Sequence, residues 1–150
     1  MRRQSEKLWL CIAPVALAVL DNALTLWGQP REYWAGDYTR CDEGNPVLRW
    51  CLEQHPAAAL AENVLWVALV VAAVVVLPWR AAKVLSLGVA LGHVVGANTW
   101  LWTRFGIYWL FPIVLLASAW MIVWTWERAE NHRRKCEAPK TSAAADRPSE

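Results

Sequence analysis

Three titratable side chains of this 150-residue chain have the types and positions to do chemistry. Asp21 lies inside one long apolar run, His93 lies near the middle of another, and Glu43 lies between the first two runs. Histidine and carboxylates transfer protons in acid–base catalysis and also bind transition metals. We therefore take Asp21, His93 and Glu43 as the candidate catalytic residues. No motif such as H-E-x-x-H links them, and the sequence predicts neither a metal site nor a cofactor.

The position of Asp21 is energetically expensive. A charged aspartate at the centre of a membrane-spanning helix costs about 2.5–3.5 kcal/mol of insertion free energy, whereas each Leu, Ile, Val or Phe contributes only about 0.3–0.6 kcal/mol in favour. The Leu and Val neighbours of Asp21 offset this cost, but its carboxylate then needs a partner, a proton or water. Two interpretations stay open for Asp21 and His93: a functional site, or hydrogen bonds between helices that serve packing alone.

Four apolar segments must position these side chains. They cover residues 8–28, 56–77, 82–102 and 107–126, and each has about the 20 residues that a helix needs to cross a bilayer. A hydrophobic fraction of 57% with twelve Trp argues against an ordinary soluble domain. We predict an all-α integral membrane four-helix bundle in residues 1–137, with an outer loop at 29–55 and a disordered cytoplasmic tail at 138–150.

Positive charge is concentrated on one side of this arrangement. Lys and Arg precede the first segment, lie between the second and third, and follow the fourth, at Arg2, Arg3, Lys7, Arg80, Lys83, Arg128, Arg133, Arg134, Lys135, Lys140 and Arg147. The positive-inside rule then places both termini in the cytoplasm, in a multi-pass protein of the cell (inner) membrane. The lipid bilayer is the first predicted partner, and no feature predicts nucleic-acid binding.

A cleaved signal peptide is the alternative interpretation of the first segment. Residues 1–7 would be its charged region, residues 8–15 its apolar core, and Ala16-Leu17-Ala18 its cleavage site. The apolar run continues to Trp27, however, which favours a membrane span.

The outer loop carries structure of its own. Asn45-Pro46 is a turn signal that begins a short amphipathic helix at residues 47–52. Tyr33 and Trp34 are typical of aromatic anchors at a membrane interface. Cys41 and Cys51 are a candidate disulfide, because the predicted orientation places both in an oxidising space.

Glycines at intervals of four mark one face of the third segment. Gly88, Gly92 and Gly96 permit the backbone of another helix to approach closely. Our leading functional prediction is therefore an accessory or interaction subunit that packs through this face against a membrane protein or another copy. One alternative is an intramembrane enzyme, a hydrolase or isomerase that acts on a lipid or peptide through Asp21 and His93. The other is an oligomeric carrier of protons or a small solute.

Two short motifs in the first third of the chain suggest a family. Asp21-x-x-x-Thr25, followed by Glu43-x-Asn45-Pro46, resembles a family of small, uncharacterised four-span prokaryotic membrane proteins with D-x-x-x-T and E-x-N-P patterns. The resemblance implies a shared four-span fold and a shared polar site that includes Thr25 and Asn45. It implies no known activity.

Overall fold

The computed structural model describes residues 2–145, and the side-chain surroundings of residues 6–135 within them. This part of the chain is helical and contains no β-strand. The predicted all-α fold class is therefore confirmed for the described residues. The α-helices are α1 (Arg2–Trp27), α2 (Arg31–Trp34), α3 (Pro46–Gln54), α4 (Pro56–Val76), α5 (Trp79–Thr103) and α6 (Phe111–Ala145), with short 3-10 turns at Tyr38–Arg40 and Tyr108–Leu110.

Four segments in the described range are long and apolar enough to cross a membrane. They are Glu6–Trp27, Pro56–Val76, Trp79–Thr103 and Tyr108–Lys135. Each overlaps one of the four predicted segments, so the apolar composition located the spans to within a few residues, except at the end of the fourth. These four candidate spans indicate a multi-pass membrane protein.

The last helix continues well beyond the predicted end of the fourth span at residue 126. Side-chain contacts explain its first additional turns: Glu130 accepts a 2.7 Å hydrogen bond from Lys83 of α5, and the His132 ring stacks on Trp9 of α1. The helical backbone reaches Ala145, and residues 146–150 lie outside the described residues. The disorder predicted for residues 138–150 stays a prediction.

The first helix is the centre of the bundle, because it packs against α4, α5 and α6. Small side chains let the helices approach each other closely: Ala13 of α1 and Ala90 of α5 are buried in one cluster with Leu17, Val94 and Ile122. A second cluster joins Leu10 of α1, Val74 of α4, Ala82 of α5 and Ala129 of α6.

A proline inside α1 removes one hydrogen bond of that helix, and a side chain of α5 replaces it. Pro14 has no N–H, so the carbonyl of Leu10 one turn earlier has no donor within its own helix. The buried Ser86 hydroxyl of α5 donates to that carbonyl across 2.6 Å. Such rescue of a freed backbone group by a neighbouring Ser is what makes proline tolerable in a membrane helix.

The outer loop folds into a small cap over one end of the bundle. Its centre is Tyr33, which has 0% exposure and whose hydroxyl donates to the carbonyl of Leu52 across 3.2 Å. Burial, with smaller effects from Cys41 and Tyr38, raises the pKa of Tyr33 to about 12. The interpretation of Tyr33 as an interfacial anchor is thus wrong, because its ring is packed inside the cap, whereas its neighbour Trp34 is 54% exposed.

The two loop cysteines lie in the same buried cluster as Tyr33. Cys41 and Cys51 are both free thiols in the structure. Burial raises the pKa of the Cys41 thiol, an effect that the Glu53 carboxylate increases, so its reactive thiolate form is disfavoured. Their disulfide stays a prediction.

The helix α3 confirms the predicted amphipathic segment. Asn45 accepts backbone N–H groups of Val47 (3.0 Å) and Leu48 (3.4 Å) through its side-chain oxygen, and Pro46 occupies the first helical position. The helix folds back against α4 with Cys51 and Leu52 buried, while Val47 is exposed.

The Pro14–Ser86 arrangement gives a first prediction. Ser86→Ala should lower the free energy of unfolding by about 1–3 kcal/mol, because it leaves the buried Leu10 carbonyl without a donor. The loss should be much smaller in a Pro14→Ala background, where residue 14 regains an N–H for that carbonyl.

Unfolding in mixed detergent micelles, followed by tryptophan fluorescence, measures both differences. Ser118→Ala is the matched control, because the Ser118 hydroxyl bonds only the Val114 carbonyl of its own helix. Equal losses from Ser86→Ala with and without Pro14 would contradict this account.

Candidate functional site

The structure brings Asp21 and His93 into direct contact. The Nδ1 atom of His93 on α5 lies 2.9 Å from Oδ2 of Asp21 on α1, and the two side chains are only 17% and 19% exposed. When the Asp21 carboxyl group is ionised it can only accept a hydrogen bond, and Nδ1 of His93 is then the donor. Nε2 is then the nitrogen of His93 that is left for a ligand.

This contact depends on a glycine. A Cβ atom placed on Gly96 would lie 2.6 Å from Oδ2 of Asp21 and 2.9 Å from its Cγ. These distances are far inside van der Waals contact, so any larger residue at position 96 would displace the carboxyl group. Gly96 therefore provides the space in which Asp21 reaches His93.

A buried glutamine connects the outer loop to the end of α1. The Gln29 side chain accepts the N–H of Asp42 (2.8 Å) and donates to the carbonyl of Asp42 (3.0 Å) and to that of Thr25 (2.9 Å). These bonds hold the loop at the residue before Glu43. The sequence prediction missed Gln29, and its position just after an apolar segment gave little signal.

The E-x-N-P motif forms a turn in which the side chains of Glu43 and Asn45 both bond to the backbone. Oε1 of Glu43 accepts the backbone N–H of Asn45 across 2.7 Å, while Asn45 caps α3. Burial raises the pKa of the Glu43 carboxyl, and the nearby Asp21 and Asp42 carboxylates raise it further. Glu43 is thus electrostatically coupled to Asp21.

A cavity of about 910 Å³ joins these groups. The three candidate catalytic residues line it together with Thr25 and Asn45, so the structure brings together both halves of the motif pair. Glu62, Asn63 and Trp66 contribute from α4. The sequence prediction did not include Glu62 among the candidate site residues, although Glu62-Asn63 interrupts an apolar helix just as Asp21-Asn22 does, and that signal could have identified it.

The three glycines of the stripe differ in their surroundings within the described chain. Gly88 and Gly92 line the cavity, and a Cβ atom at either position would meet no other atom within 4 Å. No helix of the described chain therefore packs on these two residues, and only Gly96 is in close contact. Packing of this face against another protein stays a prediction.

The geometry of the described cavity residues does not match a metal site. Among the described side chains no group of three or more His, Cys, Asp or Glu is placed to hold a metal ion. In the Asp21–His93 pair the carboxyl group is placed to orient the imidazole, and both residues line the cavity.

The close approach of Gly96 to Asp21 gives a second prediction. Gly96→Ala should break the Asp21–His93 hydrogen bond while the fold persists, because the short Asp21 side chain can rotate away. Gly92→Ala on the same helix should leave the bond intact, since its Cβ meets open space. Nitrogen-15 NMR of the three labelled histidines reports the Nδ1 proton, and Asp21→Asn assigns its signal. An unchanged His93 signal in Gly96→Ala would contradict the geometry.

The raised pKa of Glu43 gives a third prediction. The folded protein holds this proton more tightly than the unfolded chain does, so the stabilisation is present at low pH and is lost as the pH rises through the folded-state pKa. Glu43→Gln cannot ionise and should lack this loss. Thermal unfolding between about pH 4 and pH 7 should therefore show wild type losing stability relative to the variant. Parallel stability curves would contradict the prediction.

Comparisons with protein-family models, curated proteins and solved structures found no match to this chain. The resemblance to the D-x-x-x-T and E-x-N-P family thus stays a prediction. Functional inference rests on the geometry of the cavity and of the residues that line it.

Proposed function

We propose that this protein is an intramembrane hydrolase or isomerase that acts on an amphipathic substrate in the cavity between α1, α4 and α5. The observation that carries this proposal is the Asp21–His93 hydrogen bond at the wall of that cavity. It favours the enzyme alternative over our leading prediction of an accessory subunit, because a base oriented by a carboxylate beside a ligand-sized space is a catalytic arrangement.

His93 would act as the general base through Nε2. In a hydrolysis it takes a proton from water as the water oxygen bonds to the carbonyl carbon, and then returns the proton to the leaving group. In an isomerisation it takes a proton from one substrate atom and returns it to another. Asp21 keeps the imidazole in the required tautomer and stabilises the imidazolium that forms in either reaction.

The lining residues support a division of the cavity into a polar and an apolar part. Glu43 and Asn45 lie at the loop end, where they contact the polar group of a substrate. The side-chain amide of Asn63 on α4, which forms no hydrogen bond with the described residues, can donate to a substrate oxygen. Val84 and Leu85 extend the cavity along α5 toward its other end and suit an apolar chain.

The membrane location supports a lipid-like substrate. The distribution of Lys and Arg favours the inner membrane with both termini in the cytoplasm. Asp21 then lies about 9 Å from the outer end of α1, and His93 about 15 Å from that of α5, at 1.5 Å of rise per residue. The site would face the outer leaflet and be reached from the bilayer.

A second candidate function, the interaction subunit, is favoured by one observation. Gly88 and Gly92 are exposed and have open space above them. Gly92→Leu would not separate the two functions, because a leucine there would fill the cavity as well as block a partner helix. Asp21→Asn separates them, since it changes the chemistry with little change of shape.

The proposal gives a fourth prediction. Purified protein in vesicles of lipid extracted from its own membrane should convert at least one lipid species, detected by mass spectrometry of the lipids. His93→Ala and Asp21→Asn should each reduce the rate by roughly 10²–10⁴-fold, the range typical of a lost general base.

The matched control is His132→Ala, because His132 stacks on Trp9 far from the cavity. It should convert the same species at the wild-type rate. An unchanged lipid profile with wild type, together with a foreign subunit that still co-purifies with Asp21→Asn, would contradict the enzyme and support the interaction subunit.

A further inference from the structure

The carboxylate side chains of the cavity are not balanced by Lys or Arg among the described lining residues. Asp21, Glu43 and Glu62 line the cavity. Asp21 bonds His93, but Glu43 and Glu62 form no ion pair with any described residue. Carboxylates that are gathered in a half-enclosed space without a cation repel one another, and a positively charged ligand would relieve that repulsion.

Aromatic rings in the cavity also favour a positively charged ligand. Trp66 of α4 and Trp100 of α5 both line the cavity. The face of an indole attracts an ammonium group within about 6 Å, and indole is the best of the aromatic side chains for this contact. Trp100 is also fixed in place, because its ring lies directly above Gly28, where a Cβ atom would come within 2.5 Å of it.

The rest of the cavity is apolar and opens to the side of the bundle. Val84 is 72% exposed although it lines the cavity, and Trp66 at the opposite wall is exposed as well. A ligand can therefore place its polar end among the carboxylates while its chain passes between α4 and α5 into the bilayer.

We infer that the ligand of this cavity is a cationic amphiphile: a single-chain lipid amine whose ammonium group lies among Asp21, Glu43 and Glu62. This inference rests on the proposed function only in naming its substrate class, because binding is measurable without turnover. A phospholipid head group fits less well, since its phosphate would meet carboxylates with no Lys or Arg to neutralise it. The cavity volume of about 910 Å³ accommodates the head group and part of the chain.

Photolabelling of the full-length protein in phosphatidylcholine vesicles tests the inference. The probes are three 16-carbon chains with the same diazirine and an amine, alcohol or carboxylic acid end. The amine should label the α4 and α5 residues around the cavity roughly tenfold more than the alcohol, and the acid should label them least. Equal labelling by the amine and the alcohol in wild type would overturn the inference, and this comparison needs no variant.

Charge-neutral variants locate the effect. Glu43→Gln with Glu62→Gln should abolish the preference for the amine, because it removes two negative charges at nearly constant shape. Glu32→Gln with Glu53→Gln is the matched control, since it removes the same charge from the outer cap outside the cavity. A preference that disappears in the control pair but persists in the cavity pair would also overturn the inference.

The failures of the two proposals are distinguishable. His93→Ala should lose lipid conversion but keep the preference for the amine. Conversion that depends on His93 without any preference for the amine would show that the substrate class is wrong and the enzyme right. A preference for the amine without conversion would show the reverse.

Discussion

The cost of an aspartate inside an apolar helix constrains this structure more than any other single feature. A charged aspartate at the centre of a membrane-spanning helix costs about 2.5–3.5 kcal/mol, and contact with His93 of α5 gives Asp21 a polar partner that offsets the cost at its own position. The contact requires Gly96 beside the carboxylate, and it requires α1 and α5 to pack in one relative depth and rotation. The position of α1 at the centre of the bundle makes both possible, because α1 contacts every other long helix.

The outer cap extends this arrangement to the loop. Gln29 holds the backbone of Asp42 against the end of α1, and Asn45 caps α3 so that the intervening turn presents Glu43 toward Asp21. Each step is a local hydrogen bond with an ordinary geometry. Together they turn two short motifs, some twenty residues apart in the chain, into one wall of a cavity.

The sequence alone predicted the elements but not their relative positions. Apolar length located the four spans, and the turn signal of Asn45-Pro46 located α3. Asp21 and His93 were each identified as expensive polar groups, but their contact depends on the register of α1 against α5. Periodicity reveals the face of a helix and not its depth against a neighbour. The hydrogen bond from Ser86 to the Leu10 carbonyl, which has no donor in α1 because of Pro14, was not predicted either, because it too depends on the depth of α5 against α1.

The glycines show what the local pattern leaves open about the surroundings of a helix face. Spacing of four is the signature of helix packing, yet Gly88 and Gly92 border empty space. Either position could carry a larger side chain that fills the cavity, and glycine weakens a helix by about 0.8–1.0 kcal/mol relative to alanine. Glycine at both positions therefore makes α5 less stable than alanine would, and it leaves the cavity open beside Asp21 and His93.

The surroundings of Asp21–His93 differ from those of another side-chain hydrogen bond between helices. The Ser86 hydroxyl is buried and bonds one backbone carbonyl, and it does not line the cavity. Asp21 and His93 keep part of their surface open to a space of about 910 Å³. Stability alone would favour closing that space, because buried side chains gain contacts that a void lacks. A ligand of the proposed kind would supply the contacts that the open space lacks.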